Sequence, residues 1–133
     1  MAERRSPHAE QLYAHAYAQY EAGNAEKAVE GFQALCLQNP LEARFWFGLG
    51  ASLQESHSYE HALQSWAMAA LLDPANPYPH FYAAECSVSL NLLDDASLAL
   101  DLAMQRIQSE ETHPLKEPIL VLKEAWSLCQ TRT

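Results

Sequence analysis

The chain has 133 residues, 49% of them apolar, and its 17 acidic residues outnumber 8 Lys and Arg, which gives a formal net charge of −9. This length suits one domain whose own core is large enough to be stable without a disulfide or a bound metal. The negative charge would repel a phosphate backbone and an anionic bilayer, so we expect neither nucleic-acid binding nor direct membrane binding. Residues 1–11 hold no apolar run, so we also expect no signal peptide.

Residues of similar size recur every 34 positions along the chain. Pro40 and Pro74 are separated by this interval, as are Phe32 and Trp66. Small residues follow it in two series, Ala16, Gly50 and Ala84 and then Ala28, Ala62 and Ala96. A period of 34 residues is typical of tetratricopeptide repeats, which are pairs of antiparallel helices. The predicted fold is therefore all-α, a right-handed superhelix of three tetratricopeptide repeats with a C-terminal capping helix.

Each repeat is predicted to contain a helix A, a turn and a helix B. The register divides the chain into repeats at 9–42, 43–76 and 77–110. In the first repeat, helix A is expected at 9–22 and helix B at 25–38, with Gly23 in the turn between them. Pro40 and Pro74 are expected to end the first two B helices, because proline cannot continue a helix interior.

A capping helix is predicted at 115–131, after the third repeat. Its apolar residues follow helical spacing, at Ile119, Leu122, Ala125, Trp126 and Cys129. The last repeat of a solenoid exposes an apolar face, and this helix is expected to cover it, so that 1–133 forms a single domain. Cys36, Cys86 and Cys129 are expected to act as small buried hydrophobic residues.

The A helices of such a stack line its inner, concave surface. The inward stripe is predicted to hold Tyr13, Tyr17, Tyr20, Arg44, Phe47, Ala51, Gln54, Tyr78, Phe81, Glu85 and Val88. Such an aromatic surface with few charges suits the leucine and proline side chains of an extended peptide, and Tyr hydroxyls can bind the peptide backbone. The alternative interpretation is that these aromatic residues simply belong to the core.

Three stretches of the chain carry a narrower resemblance. They are LYAHAY at 12–17 with FQALC at 32–36, RFWFGLGA at 44–51, and HFYAAEC at 80–86. Taken in order, they resemble the three repeats of the type III secretion chaperones that serve translocator proteins. The resemblance extends over 12–128, which is nearly the whole chain.

The resemblance implies a chaperone of the bacterial cytoplasm that keeps hydrophobic, pore-forming translocators soluble and competent for secretion. Such chaperones hold an extended N-terminal segment of the translocator in the concave groove, often of the type Pro-x-Leu-x-x-Pro. Some members also partner a transcriptional regulator. Family members usually carry a further N-terminal helical segment that contributes to dimers. Since this sequence begins only a few residues before its first repeat, a homodimer is left open but is not favoured.

No pattern in the sequence favours catalysis, a cofactor or a bound metal, and no residue is assigned to any of these roles. Residues 57–61 spell H-x-x-E-H, which is a zinc-peptidase pattern. However, His57 falls in a predicted turn and His61 in the following helix, whereas zinc chemistry needs both on one helix face. The sequence also contains no glycine-rich phosphate loop and no nucleophile elbow.

Two other kinds of binding module are alternatives. Clamps for chaperone C-terminal carboxylates use Lys, Asn and Arg on the inner face, but the matching positions here are Tyr13, Tyr17, Gly48, Tyr78 and Tyr82. That function is therefore not expected. A scaffold or adaptor within a secretion assembly, or a co-chaperone that cradles a helix of a needle subunit, stays open. The aromatic stripe favours the extended client, because a helix cradle would favour a smooth aliphatic groove.

Overall fold

The computed structural model describes residues 7–107 and 112–131, the last four of them as backbone only. These residues form seven α-helices and contain no strand. The helices are α1 (Pro7–Glu21), α2 (Ala25–Gln38), α3 (Ala43–Glu55), α4 (Tyr59–Leu72), α5 (Tyr78–Ser89), α6 (Leu93–Ile107) and α7 (Lys116–Thr131). The predicted all-α, tetratricopeptide-type fold is thus confirmed. The predicted end of the third repeat, at residue 110, lies outside the described residues.

Each helix packs mainly against the helices that precede and follow it in the chain, and α7 packs on α6. The A helix of the first pair, α1, also contacts the A helix of the second, α3. Packing between nearest neighbours is the defining property of a solenoid. It places the three A helices, α1, α3 and α5, side by side along one surface.

Small residues lie where the helices approach each other most closely. The positions that are at most 1% exposed include Ala16, Ala28, Ala62, Ala84 and Ala96. A Cβ atom added to Gly50 would lie 2.8 Å from Cδ2 of Trp66, well inside van der Waals contact. The recurrence of small residues therefore reflects close helix packing, where overfilling costs ~1–3 kcal/mol.

The turns within the three helix pairs share one backbone geometry. Gly23, His57 and Asn91 occupy equivalent positions and have φ angles of 85°, 62° and 59°. After the first of them, the N–H of Asn24 donates to the carbonyl of Gln19 at 2.9 Å, and the other two turns repeat this bond. This is the Schellman ending of a helix, in which one residue takes the left-handed conformation. Glycine adopts it at no steric cost, whereas other residues do so rarely, Asn and His among the more frequent.

Two clusters of buried side chains form the core. The larger cluster joins α1 to α4 and Cys86 of α5 around Phe32 and Trp66, and the smaller joins α5, α6 and α7. In the smaller cluster Ile119 of α7 is fully buried, and Leu122 packs at its edge. Helix α7 therefore covers the apolar side of the third pair, as expected of a capping helix.

Cys36 and Cys86 are buried. Burial raises the pKa of the Cys36 thiol to about 12 and that of the Cys86 thiol to about 11, so both remain protonated. They act as small apolar residues, as predicted, whereas the Cys129 side chain lies outside the described residues. Within the described helices, none combines the length and the apolar content that crossing a membrane requires.

Candidate functional site

A cavity of about 550 Å³ opens on the surface formed by the A helices. We call it the inner groove, and its wall comes mainly from α1, α3 and α5, with contributions from α2, α4 and the turn after α4. Eight residues of the predicted inward stripe line it: Tyr13, Tyr17, Tyr20, Arg44, Phe47, Ala51, Gln54 and Glu85. The structure thus brings together the predicted residues of the first two repeats.

Helical spacing explains the aromatic wall on α1. Tyr13, Tyr17 and Tyr20 are four and three residues apart, so they share one face of the helix. The ring centroids of Tyr13 and Tyr17 are 6.1 Å apart, and those of Tyr17 and Tyr20 are 6.3 Å apart. Tyr17 is 46% exposed. Because Tyr17 packs into no core cluster, its ring is available to a ligand in the groove.

Three predicted stripe residues of the third repeat do not line the groove, which corrects the prediction there. Phe81 is buried in the smaller core cluster, as the alternative interpretation of the aromatic residues expected. Tyr78 packs at the edge of that cluster, with its ring 5.9 Å from the His113 ring. Val88 is exposed near the end of α5 and is not among the residues that line the groove. The groove residues of α5 are instead Pro79, Tyr82 and Glu85.

Tyr82 is the main groove residue that the predicted stripe missed. Its ring lies 5.0 Å from Trp66 and 6.0 Å from Phe47, and the Phe47 and Trp66 rings lie 4.9 Å apart. Trp66 also lines the groove, although it belongs to the core. Position 82 is one of the inward positions that carboxylate clamps use, and this was the one signal in the sequence that could have identified Tyr82.

A relay of two hydrogen bonds crosses the groove between α4, α3 and α5. The indole Nε1–H of Trp66 donates to Oε1 of Gln54 at 3.0 Å. Gln54 in turn donates from Nε2 to Oε1 of Glu85, also at 3.0 Å. Since an indole nitrogen can only donate, the amide oxygen of Gln54 must face Trp66 and its NH₂ group must face Glu85.

The arginine of the groove is held by neighbouring carboxylates. Arg44 donates to Glu10 at 3.0 Å and to Glu42 at 3.1 Å. Its guanidinium also lies over the ring of Tyr13, 4.5 Å from the centroid. These contacts tie α3 to α1 and neutralise the positive charge of Arg44 locally.

Burial raises the pKa of several groove residues. Desolvation raises the pKa of Tyr13, Tyr20 and Tyr82, so their hydroxyls stay protonated and can donate hydrogen bonds at neutral pH. Desolvation also raises the pKa of Glu85, and the hydrogen bond from Gln54 offsets part of that rise. The groove is therefore an aromatic surface with hydroxyl donors and one partly desolvated carboxyl group.

The two histidines of the H-x-x-E-H string lie in different elements. His57 is in the turn after α3, where its Nδ1 lies 2.6 Å from the Tyr59 hydroxyl oxygen. His61 is exposed on α4. Across the described part of the chain, no group of three or more His, Cys, Asp or Glu side chains could hold a metal ion.

Comparison with known proteins agrees with this architecture. A family model described as "Tetratricopeptide repeat" matches residues 9–39. The Yersinia enterocolitica type III secretion chaperone SycD, solved in complex with a peptide of the translocator YopD, is 35% identical over 97% of this chain and 99% of that chain, with a TM-score of 0.87. This chain belongs to the family of type III secretion translocator chaperones. The family predicted from the repeat motifs is thus confirmed.

Two further proteins are similar to this chain. PcrH, solved in complex with the chaperone binding region of PopD, is 36% identical over 98% of this chain and 99% of that chain, with a TM-score of 0.87. The low calcium response locus protein H of Yersinia pestis is 40% identical over 98 residues, or 74% of this chain. The match spans 58% of the length of that curated relative.

Proposed function

We propose that this chain is a chaperone of the bacterial cytoplasm, and not an enzyme, that holds an extended N-terminal segment of a hydrophobic translocator in the inner groove. Its role is to keep the translocator soluble and competent for secretion. The observation that carries the proposal is the aromatic groove itself, with the exposed ring of Tyr17 on its wall. The translocator complexes of the similar SycD and PcrH support the same role.

The dimensions and chemistry of the groove suit a peptide. Its volume of about 550 Å³ is within the ~300–1,000 Å³ range of ligand sites that bury most of their occupant. Flat aromatic faces accept leucine and proline side chains, and the protonated Tyr hydroxyls can donate to peptide carbonyls. An apolar translocator segment left in water would aggregate, so covering it with apolar groove surface stabilises the soluble form.

The proposal predicts that Tyr17→Ala weakens client binding without unfolding the chain. Truncating an aromatic anchor at such an interface commonly costs ~2 kcal/mol, or roughly a thirtyfold loss of affinity. Because Tyr17 is half exposed, its removal should barely change the melting temperature. The measurement is fluorescence anisotropy with a labelled Pro-x-Leu-x-x-Pro peptide, paired with a thermal melt. Phe47→Ala should weaken binding too but also lower the melting temperature, because Phe47 packs on Trp66.

Two variants outside the groove serve as controls. Leu71→Ala removes an exposed apolar side chain from α4, and Glu30→Ala removes an exposed charge from α2. Both should bind the peptide like wild type and melt like wild type. If Tyr17→Ala stays folded and binds as tightly as wild type, the client segment does not lie in the inner groove. A bound peptide that gives a helical spectrum would favour the needle-subunit cradle instead.

A further inference from the structure

The charges that line the inner groove are unbalanced. Besides Arg44, its charged residues are Glu55, Asp73 and Glu85. Arg44 is already engaged by Glu10 and Glu42 at its own end of the groove. The lining therefore presents three carboxylates to a ligand, and its arginine is committed to the protein's own ion pairs.

Among these carboxylates, Glu85 is the one that the structure positions. The relay from Trp66 through Gln54 holds its Oε1 at 3.0 Å from the Gln54 amide nitrogen. No hydrogen bond among the described residues uses its Oε2, so this oxygen can still accept one. Glu85 is also half-buried on α5 and, like Tyr82, lines the groove. A client that fills the groove therefore covers a carboxylate whose orientation is already set.

Covering Glu85 with a purely apolar segment would be costly. A carboxylate that loses its remaining water without gaining a donor is strongly destabilised. A backbone N–H would supply one hydrogen bond but would leave the negative charge in place. A Lys or Arg side chain would supply the hydrogen bond and also cancel the charge, which is the stronger combination.

We infer that Glu85 is a specificity-determining residue that selects client segments with a basic side chain among their apolar anchors. This inference rests on the proposed function and adds the chemistry of the preferred client. The aromatic wall binds the apolar residues of the segment, and Glu85 accepts a hydrogen bond from a lysine or arginine that lies between them. The aromatic wall thus provides affinity, while Glu85 distinguishes basic from neutral segments.

A set of four labelled peptides tests the inference. All share the core Pro-Xaa-Leu-Xaa-Xaa-Pro. In one peptide every Xaa is Gln, and in the others Lys occupies the first, second or third Xaa in turn. Their affinities are measured by anisotropy for wild type, Glu85→Gln and Glu30→Gln, the last being a matched loss of one exposed acid outside the groove.

At least one Lys peptide should bind wild type about tenfold more tightly than the all-Gln peptide, as expected of a charge-assisted hydrogen bond. In Glu85→Gln this preference should fall below about twofold, and in Glu30→Gln it should persist. The inference is overturned if wild type binds all four peptides alike, if the preference survives in Glu85→Gln, or if Glu30→Gln abolishes it equally. Different results would contradict the proposed function itself: either Tyr17→Ala leaves peptide binding unchanged, or wild type binds none of the peptides.

Discussion

Gly48 and Tyr82 occupy equivalent positions in consecutive repeats and make opposite contributions to the inner groove. A Cβ atom on Gly48 would overlap the ring of Phe32, so the glycine lets that ring reach the groove wall. One repeat later, Tyr82 itself lies against Trp66, the equivalent of Phe32. Beside Gly48, the groove aromatic is Phe32 on the B helix α2. At the equivalent position of the next repeat, the A helix α5 adds a second aromatic residue, Tyr82.

Glu85 connects stability to pH. Burial raises its pKa in the folded state above the unfolded value, which means that folding disfavours the ionised form. At a pH below the unfolded pKa, the carboxyl is protonated in both states and the fold keeps its full stability. As the pH rises through the folded pKa, the carboxyl ionises and stability is lost. We expect Glu85→Gln to melt at a higher temperature than wild type at pH 7, since the amide carries no charge.

The difference between the two melting temperatures should shrink as the pH falls below the pKa of Glu85, where wild type is also neutral at this position. Thermal melts of both proteins across pH 4 to 8 measure it. The exposed Glu30→Gln variant should show no such trend. A Glu85→Gln variant that melts below wild type at pH 7 would contradict this account and would indicate that the carboxylate stabilises the fold.

Helix α7 is the element whose packing differs most from the repeats. It contacts α6, and its Ile119 joins Phe81, Leu100 and Ile107 in the smaller core cluster. Next to Ile119, Leu120 and Val121 are exposed. Helix α7 therefore presents one buried face and one open face, as expected of the last helix of a solenoid.

This asymmetry predicts different costs for two neighbouring truncations. Ile119→Ala should lower the free energy of unfolding by about 2–5 kcal/mol, because it leaves a cavity at a fully buried site. Leu120→Ala removes a similar volume from a site that is 46% exposed, and it should cost less than about 1 kcal/mol. Urea unfolding of both variants measures the difference. Equal costs would show that α7 does not cap the third helix pair as a packed element.

The molecule as a whole is strongly acidic, with a formal net charge of −9. Three of its acidic residues, Glu55, Asp73 and Glu85, line the groove. A field of one sign attracts oppositely charged ligands during diffusion and raises their association rate, and salt screens this effect. A basic client segment would therefore be steered towards the groove before any apolar contact forms.

The association rate should reveal this steering. Between about 50 and 500 mM salt, where the screening length falls several-fold, we expect a Lys-bearing peptide to associate on the order of tenfold more slowly. The all-Gln peptide should change little under the same conditions. Stopped-flow fluorescence with both peptides makes the comparison. Similar salt dependence for the two would mean that the net charge of the chain plays no part in capturing the client.

The architecture could be read from local patterns. Ala28, Ala62 and Ala96 recur every 34 residues because the two helices of every repeat must pack closely at that position. The left-handed turns repeat with the same period. Helical spacing likewise placed Tyr13, Tyr17 and Tyr20 on one face. Such features depend on neighbours within a repeat or on one helix, so the order of the residues was enough to predict helix pairs, the family and the groove wall of the first two repeats.

The third repeat shows where local patterns were insufficient. Phe81 is equivalent to Phe47, yet it points into the core, because Leu100, Ile107 and Ile119 form an apolar cluster that accepts its ring. Tyr82 then takes the groove position against Trp66. These outcomes depend on side chains from α4, α6 and α7, which lie far apart in the chain and meet only after it folds. The hydrogen-bonded position of Glu85 depends in the same way on Trp66 and Gln54, and no spacing along the sequence encodes it.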